Sequence, residues 1–230
     1  MIQVTLNDIK IFPFRSKPEL LEFIDNKNKL LIATNAEKLL IDNIKLKKII
    51  NHNIGYPDGV GAVLALKKKG YKSKKIPGVE LWYDIIKKYH KRKTFYFIGS
   101  RQVVIEKTVY KIKKEFPGIK IENFRNGYLK KEDIKQLKKD LTIKKPDIVL
   151  VAMGSPKQEY FMDELLSIWP ALYVGLGGSF DVYSGSASRA PKIMISFGLE
   201  WLYRLIKQPA RYKRQLVLFK FFYMYVFNKL

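Results

Sequence analysis

Pro146-Asp147-Ile148-Val149-Leu150-Val151-Ala152-Met153-Gly154-Ser155-Pro156-Lys157-Gln158-Glu159 is the stretch whose reading decides the fold. From Asp147 to Ala152 it reads as a strand, and its apolar residues run on without polar alternation, as in a strand buried on both faces. Gly154-Ser155-Pro156 breaks the run, and a helix follows to Ser167. Strand, glycine turn and helix in that order are the unit of a parallel sheet with helices on its faces.

The same unit recurs on either side. Leu30 to Thr34 reads as a buried strand with Asn35 at a helix entry, and Leu39 to Ile50 has helical spacing. Thr94 to Ile98 is a strand ending in Gly99-Ser100, followed by a helix to about Glu115; Ile119 to Phe124 is a strand, followed by a helix over 131–141. Ala171 to Val174 is a strand that opens into Gly175-Leu176-Gly177-Gly178. Val4 to Phe14 alternates as a strand pair does, Pro18 to Asp25 has the look of a short helix, and helices are expected over 61–69 and 79–89. The expected class is α/β, one sheet domain over residues 1–190 and an aromatic, basic helical appendage over 191–230.

The composition narrows the chemistry. The chain has 230 residues, 44 basic against 21 acidic, for a formal charge of +23. Such a field favours anionic partners: nucleic acid, an acidic membrane surface or a phosphorylated substrate. There is no cysteine, and His52 and His90 lie far apart, which leaves thiolate metal sites out and a histidine triad poorly supported. No signal-like apolar segment opens the chain, and no stretch has the roughly 20 apolar residues that span a bilayer.

In open parallel sheets ligands bind beyond the carboxyl ends of the strands. Thr34-Asn35, Gly99-Ser100, Gly154-Ser155 and Gly175-Leu176-Gly177-Gly178-Ser179 stand at those ends, where helix N-termini suit phosphate. No G-x-x-x-x-G-K-[ST] loop is present, and Gly175-Leu176-Gly177-Gly178-Ser179-Phe180 breaks the dinucleotide fingerprint at its last position. No two aspartates stand one residue apart, so a D-x-D metal site is not expected. Ser155, Pro156 and Gln158 fit a capping box, which accounts for them without a ligand, while the same placement puts Gln158 at the strand ends. Pro57-Asp58-Gly59 is an ordinary turn sequence with an aspartate suited to cap the next helix, and it is equally a place to hold a single base. Arg204, Arg211 and Arg214 fall near one helical face, with Pro209 between them; a diphosphate, solvent or anionic lipid would each balance their charge.

Taken in order, Ala33-Thr34-Asn35-Ala36, Pro57-Asp58-Gly59-Val60-Gly61, Ile76-Pro77-Gly78, Phe97-Ile98-Gly99-Ser100 and the 146–159 stretch resemble the bacterial TagA, WecG and CpsF glycosyltransferases. Val174-Gly175-Leu176-Gly177-Gly178-Ser179-Phe180-Asp181, Arg189-Ala190-Pro191, Leu199-Glu200-Trp201-Leu202-Tyr203-Arg204 and then Pro209, Arg211 and Arg214 continue the resemblance over nearly the whole chain. The resemblance implies a Rossmann-like domain with an appendage that docks at the cytoplasmic face of the plasma membrane. It implies inverting transfer of a sugar from a UDP-sugar to an undecaprenyl-diphosphate-linked acceptor in surface polysaccharide synthesis, with no metal and no cofactor. Asp58 then matches the proposed base, and Thr34 and Gln158 match polar residues of the active site. Arg204, Arg211 and Arg214 match arginines expected to hold the donor diphosphate. Asn35, Gly99, Gly154, Ser155, Gly177 and Asp181 complete the expected substrate set. Lys75 joins it as a departure, since the family usually has arginine there, and lysine keeps the charge without the bidentate fork.

The tail fits a lipid-linked acceptor: Arg211, Lys213 and Arg214 precede an apolar run, and 221–227 carries five aromatic residues, as an interfacial helix or a homo-oligomer contact would. A basic nucleic-acid-binding α/β protein is the alternative reading, though no recognised nucleic-acid motif is present, and a Rossmann-type oxidoreductase is weakened by the broken fingerprint.

Overall fold

The computed structural model describes residues 2–196, 199–207, 209 and 212–228, leaving out the side chains of Lys192, Ser196, Arg204 and residues 213–215. Among the described residues, six strands form one sheet: β3 (Leu30–Thr34), β4 (Ile54–Pro57), β5 (Thr94–Gly99), β6 (Lys120–Arg125), β7 (Ile148–Ala152) and β8 (Leu172–Gly175). Their order is β4-β3-β8-β7-β5-β6, and every neighbouring pair is parallel. The short strands β1 (Val4–Leu6) and β2 (Ile9–Ile11) form the expected antiparallel hairpin, and the Phe12 N–H ties it to the Gly55 carbonyl of β4.

The strands are apolar on both faces because both faces are covered. Leu31, Phe95, Phe97, Ile148 and Leu150 pack into one core with α5 (Gly78–Tyr89), α6 (Gln102–Glu115) and α9 (Ser179–Ser184). Leu30, Ile32, Tyr96, Ile98, Val149 and Val151 pack into the other, with α2 (Ala36–Leu39), α3 (Ile44–Asn51), α4 (Val60–Lys68), α7 (Lys131–Lys144) and α8 (Lys157–Leu166). Alternate residues of one strand thus enter different cores, as the two-residue period of a strand requires. The result is a doubly wound, Rossmann-like sheet.

Three local readings change. Residues 54–57 form an edge strand; with a glycine and a proline in four residues it carries little strand signal, and the edge position tolerates Pro57 because, among the described residues, β3 is the one strand of the sheet that pairs with β4. The helical spacing over 39–50 is broken at its start: α2 ends at Leu39, and α3 begins at Ile44 because Asn43 caps it by accepting the Leu46 N–H. The Gly175–Gly178 turn leads into a helix, α9, that the sequence did not announce.

The strand order creates one reversal. From β5 the chain crosses through α6 to β6, and from β7 it crosses through α8 to β8 on the opposite side. The helices leave on opposite faces, so a crevice opens between the carboxyl ends of β5 and β7, where such folds take their ligands. Gly99-Ser100 and Gly154-Ser155 stand at its two sides.

Beyond the sheet, α10 (Lys192–Ser196), α11 (Glu200–Lys207) and α12 (Tyr212–Val226) follow. Phe221 anchors α12: it is 4% exposed and sits in the core of α2 and α4, with Leu218 and Tyr225 packed partly beside it. Gly61 makes room, since a β-carbon there would meet the Phe221 ring at 3.2 Å. Lys68 lies over the Tyr225 ring and donates to the Tyr225 carbonyl. Leu216, Phe219, Phe222, Tyr223, Val226 and Phe227 remain exposed on the rest of α12 and the turn after it.

Candidate active site

Asp58 follows β4 directly, and its N–H donates to the Thr34 carbonyl on β3. It does not cap the helix that follows, whose N-cap is Gly59 with no side-chain bond. Its Oδ1 instead accepts the Gly78 N–H at 2.7 Å. Gly78 is the first residue of α5, a helix with no side-chain cap of its own, so an open N–H meets a carboxylate at the positive end of the helix. The approach requires glycine: a β-carbon on Gly78 would stand 2.8 Å from the Tyr56 hydroxyl. Tyr56 is fully buried, and burial first, then the charge of Asp58, push its phenol well up, so it stays protonated at neutral pH. Lys75, partly buried, precedes Ile76, whose N–H donates to the Pro57 carbonyl, so the departure from arginine falls beside this group.

A second group joins β3, β7 and β8. Gln158 is buried, and its Oε1 accepts the Gly177 N–H at 2.9 Å. The capping box expected of Ser155 and Gln158 is not formed: α8 starts at Lys157 without a side-chain cap, because the Gln158 amide is committed across the sheet to Gly177. Glu159 is fully buried and pairs with Lys38 of α2 at 2.7 Å. Thr34 is buried, with its hydroxyl donating to Ile32 at 3.3 Å, and Asn35 caps α2 by accepting the Lys38 N–H.

A third group lines the crevice. The Ser100 hydroxyl lies 3.0 Å from both carboxylate oxygens of Asp181, joining the end of β5 to α9. The Ser100 N–H donates to the Ala152 carbonyl, which sets Gly99-Ser100 beside the turn that leads through Gly154. Thr34, Asn35, Asp58, Gly99, Gly154, Ser155, Gln158, Gly177 and Asp181 thus all stand at the carboxyl edge of the sheet. Arg211 and the side chains of Arg204 and Arg214 lie outside the described residues.

A family model described as the WecG/TagA/CpsF glycosyl transferase family matches residues 6–230. The chain belongs to that family. It is therefore a glycosyltransferase of cell-surface polysaccharide synthesis, in a family that draws on UDP-sugars, and the choice between an enzyme and a nucleic-acid-binding protein goes to the enzyme. Sequence reasoning gave no site role to Gly78, Lys38 or Glu159, which the structure links to Asp58 and Gln158 at this edge of the sheet. The signal for the last two was present, because each is a charged residue inside a buried helical stripe, Lys38 between Ala36 and Leu39 and Glu159 ahead of Phe161 and Met162.

A cavity of about 460 Å³ opens beside the first turn of α5, with Val79, Glu80, Ser179, Tyr183 and Arg189 in its wall. Its cations are already matched: Lys17 pairs with Glu80 and Asp84, and Arg189 pairs with Glu80 at 2.7 Å. It is a poor place for a diphosphate. Among the described residues, no three His, Asp or Glu side chains gather as metal ligands, and no helix is long and apolar enough to cross a membrane.

Proposed function

We propose that the enzyme moves a sugar from a UDP-sugar to a polyprenyl-diphosphate-linked acceptor, with inversion and without a metal, using Asp58 as the base. The observation that carries this reading is the Asp58 carboxylate, partly buried at the end of β4 and fixed by the Gly78 N–H. An acceptor hydroxyl is a weak nucleophile until a positioned carboxylate takes its proton. As the hydroxyl oxygen bonds to the anomeric carbon, the bond from that carbon to the UDP oxygen breaks, and UDP leaves with the electron pair. Attack from the face opposite UDP inverts the centre.

The nucleotide belongs at the crevice between β5 and β7, beside Gly99, Gly154 and Asp181. In the order β4-β3-β8-β7-β5, Asp58 lies three strand spacings from β7, about 14 Å. A nucleoside diphosphate laid along the strand ends covers such a span and brings its sugar toward β3 and β4. There Thr34, Asn35, Lys75, Ser155, Gln158 and Gly177 are the remaining contacts, and Arg204, Arg211 and Arg214 take up the charge that develops on the diphosphate.

Residues 191–230 form the membrane-associating appendage in this proposal, holding the enzyme at the cytoplasmic face of the plasma membrane. The exposed Phe219, Phe222 and Phe227 and the basic sequence ahead of them support it, since aromatic and basic groups together suit an anionic lipid interface. The test is a transfer assay with a panel of UDP-sugars and a polyprenyl-diphosphate-linked acceptor, run with and without EDTA. Transfer from one or more donors, unchanged by EDTA, is expected. Transfer that stops with EDTA and returns with a divalent cation overturns the metal-free mechanism.

A further inference from the structure

Lys38 and Glu159 form an ion pair inside the protein, at the junction of three strand ends. The Lys38 ammonium donates to Glu159 Oε1 at 2.7 Å and to the Ala33 carbonyl at 2.8 Å, which ties it to the end of β3. The same Glu159 oxygen accepts the Gln158 side-chain N–H at 3.3 Å. Gln158 then spends its carbonyl oxygen on the Gly177 N–H at 2.9 Å. The chain of contacts therefore runs from the β3–α2 turn, through the start of α8, to the β8–α9 turn. Gly175 is shaped to it: a β-carbon there would stand 2.7 Å from the Gln158 amide nitrogen.

This pair is a poor device for stability alone. Glu159 is fully buried, and its Oε2 has no hydrogen-bond partner among the described residues. A buried ion pair roughly offsets its own desolvation, and an unsatisfied carboxylate oxygen tips the balance against it. What the arrangement does supply is direction. An amide side chain has nearly two-fold freedom at its last torsion, and turning Gln158 over would set its N–H against the Gly177 N–H and its oxygen against Glu159 Oε1. Glu159 Oε1 can only accept, so together with the Gly177 N–H it selects the orientation in which Gln158 turns its N–H to Glu159 and its oxygen to Gly177.

We propose that Lys38 and Glu159 are positioning residues that act through Gln158, fixing its orientation and with it the Gly175–Gly178 turn. The inference rests on the reading that this end of the sheet is where transfer occurs, but its first readout does not. In Glu159→Leu, which leaves the Gln158 N–H without its acceptor, amide exchange of Gly177 and its neighbours in the ligand-free protein rises roughly tenfold or more, while exchange of the β7 core amides stays near wild type. A pair that only stabilises the fold would raise both equally, and that result, or no rise at all, overturns the proposal. Lys38→Met/Glu159→Met avoids a lone buried charge and shows the same local rise if Glu159→Leu folds poorly. In transfer assays, Glu159→Leu adds nothing further to Gln158→Ala, because both act on one group; additive losses overturn the proposal. A local exchange rise with wild-type transfer sustains the positioning pair and instead removes Gln158 from the proposed site.

Discussion

Gly78→Ala places one methyl group where the account has least room. The added carbon would stand 2.8 Å from the Tyr56 hydroxyl and 3.6 Å from Asp58 Oδ1. Tyr56 is fully buried among close-packed neighbours, so the start of α5 has to lift instead. Overpacking of this kind costs about 1–3 kcal/mol. Loosening the 2.7 Å bond from Gly78 to the Asp58 carboxylate costs about 1–2 kcal/mol more. Against that, alanine restricts the unfolded chain and returns about 0.5–1 kcal/mol. The net loss is about 1–4 kcal/mol, which for a chain of 230 residues lowers Tm by roughly 3–15 °C. Transfer should fall about tenfold or more, because the base is no longer held in line. Thermal unfolding and steady-state transfer measure the two effects. Tyr56→Phe is the control: its hydroxyl has no hydrogen-bond partner among the described residues, so its loss alone is tolerated, and in the Gly78→Ala background it should recover most of both losses. Gly78→Ala with wild-type Tm and rate, or no rescue by Tyr56→Phe, refutes the reasoning.

Phe221→Ala removes the ring that anchors α12, and at the roughly 3–5 kcal/mol typical of buried phenylalanine it loosens docking by about a hundredfold or more. Hydrogen exchange should quicken over α12 and stay slow in the sheet. Asp140→Asn tests a surface network of β5, β6 and α7, where Asp140 Oδ2 accepts from Tyr96, Asn123 and Arg125. Burial alone would raise this carboxyl, but those bonds together hold it below its ordinary 3.8. The stabilisation is therefore complete above that value and lost as pH falls through the lower folded one. The stability gap between wild type and Asp140→Asn, followed by denaturant unfolding, should be open at pH 7 and shrink below about pH 4.

The sheet was legible because its strands are buried on both faces. Ile148–Ala152 and Leu30–Thr34 carry continuous apolar residues that no surface element would carry. β4 was hidden for the converse reason: Gly55 and Pro57 are poor strand residues, and only an edge partner accepts them. The position of Asp58 at a strand end was readable, but its bond partner was not, because Gly78 lies 20 residues away and meets it only in the folded chain. Gln158 shows the same limit. Its local spacing fits a helix cap, yet its partner is Gly177 on another strand end, a contact that local sequence does not encode.

Asp58→Asn tests the central claim most directly. The substitution keeps the size of the side chain and an oxygen for the Gly78 N–H, and removes only the ability to take a proton. Transfer from a UDP-sugar and binding of UDP are measured on the same preparation. The account predicts a rate lower by about 10²–10⁴ with nearly unchanged affinity for UDP. Wild-type transfer by Asp58→Asn would contradict it.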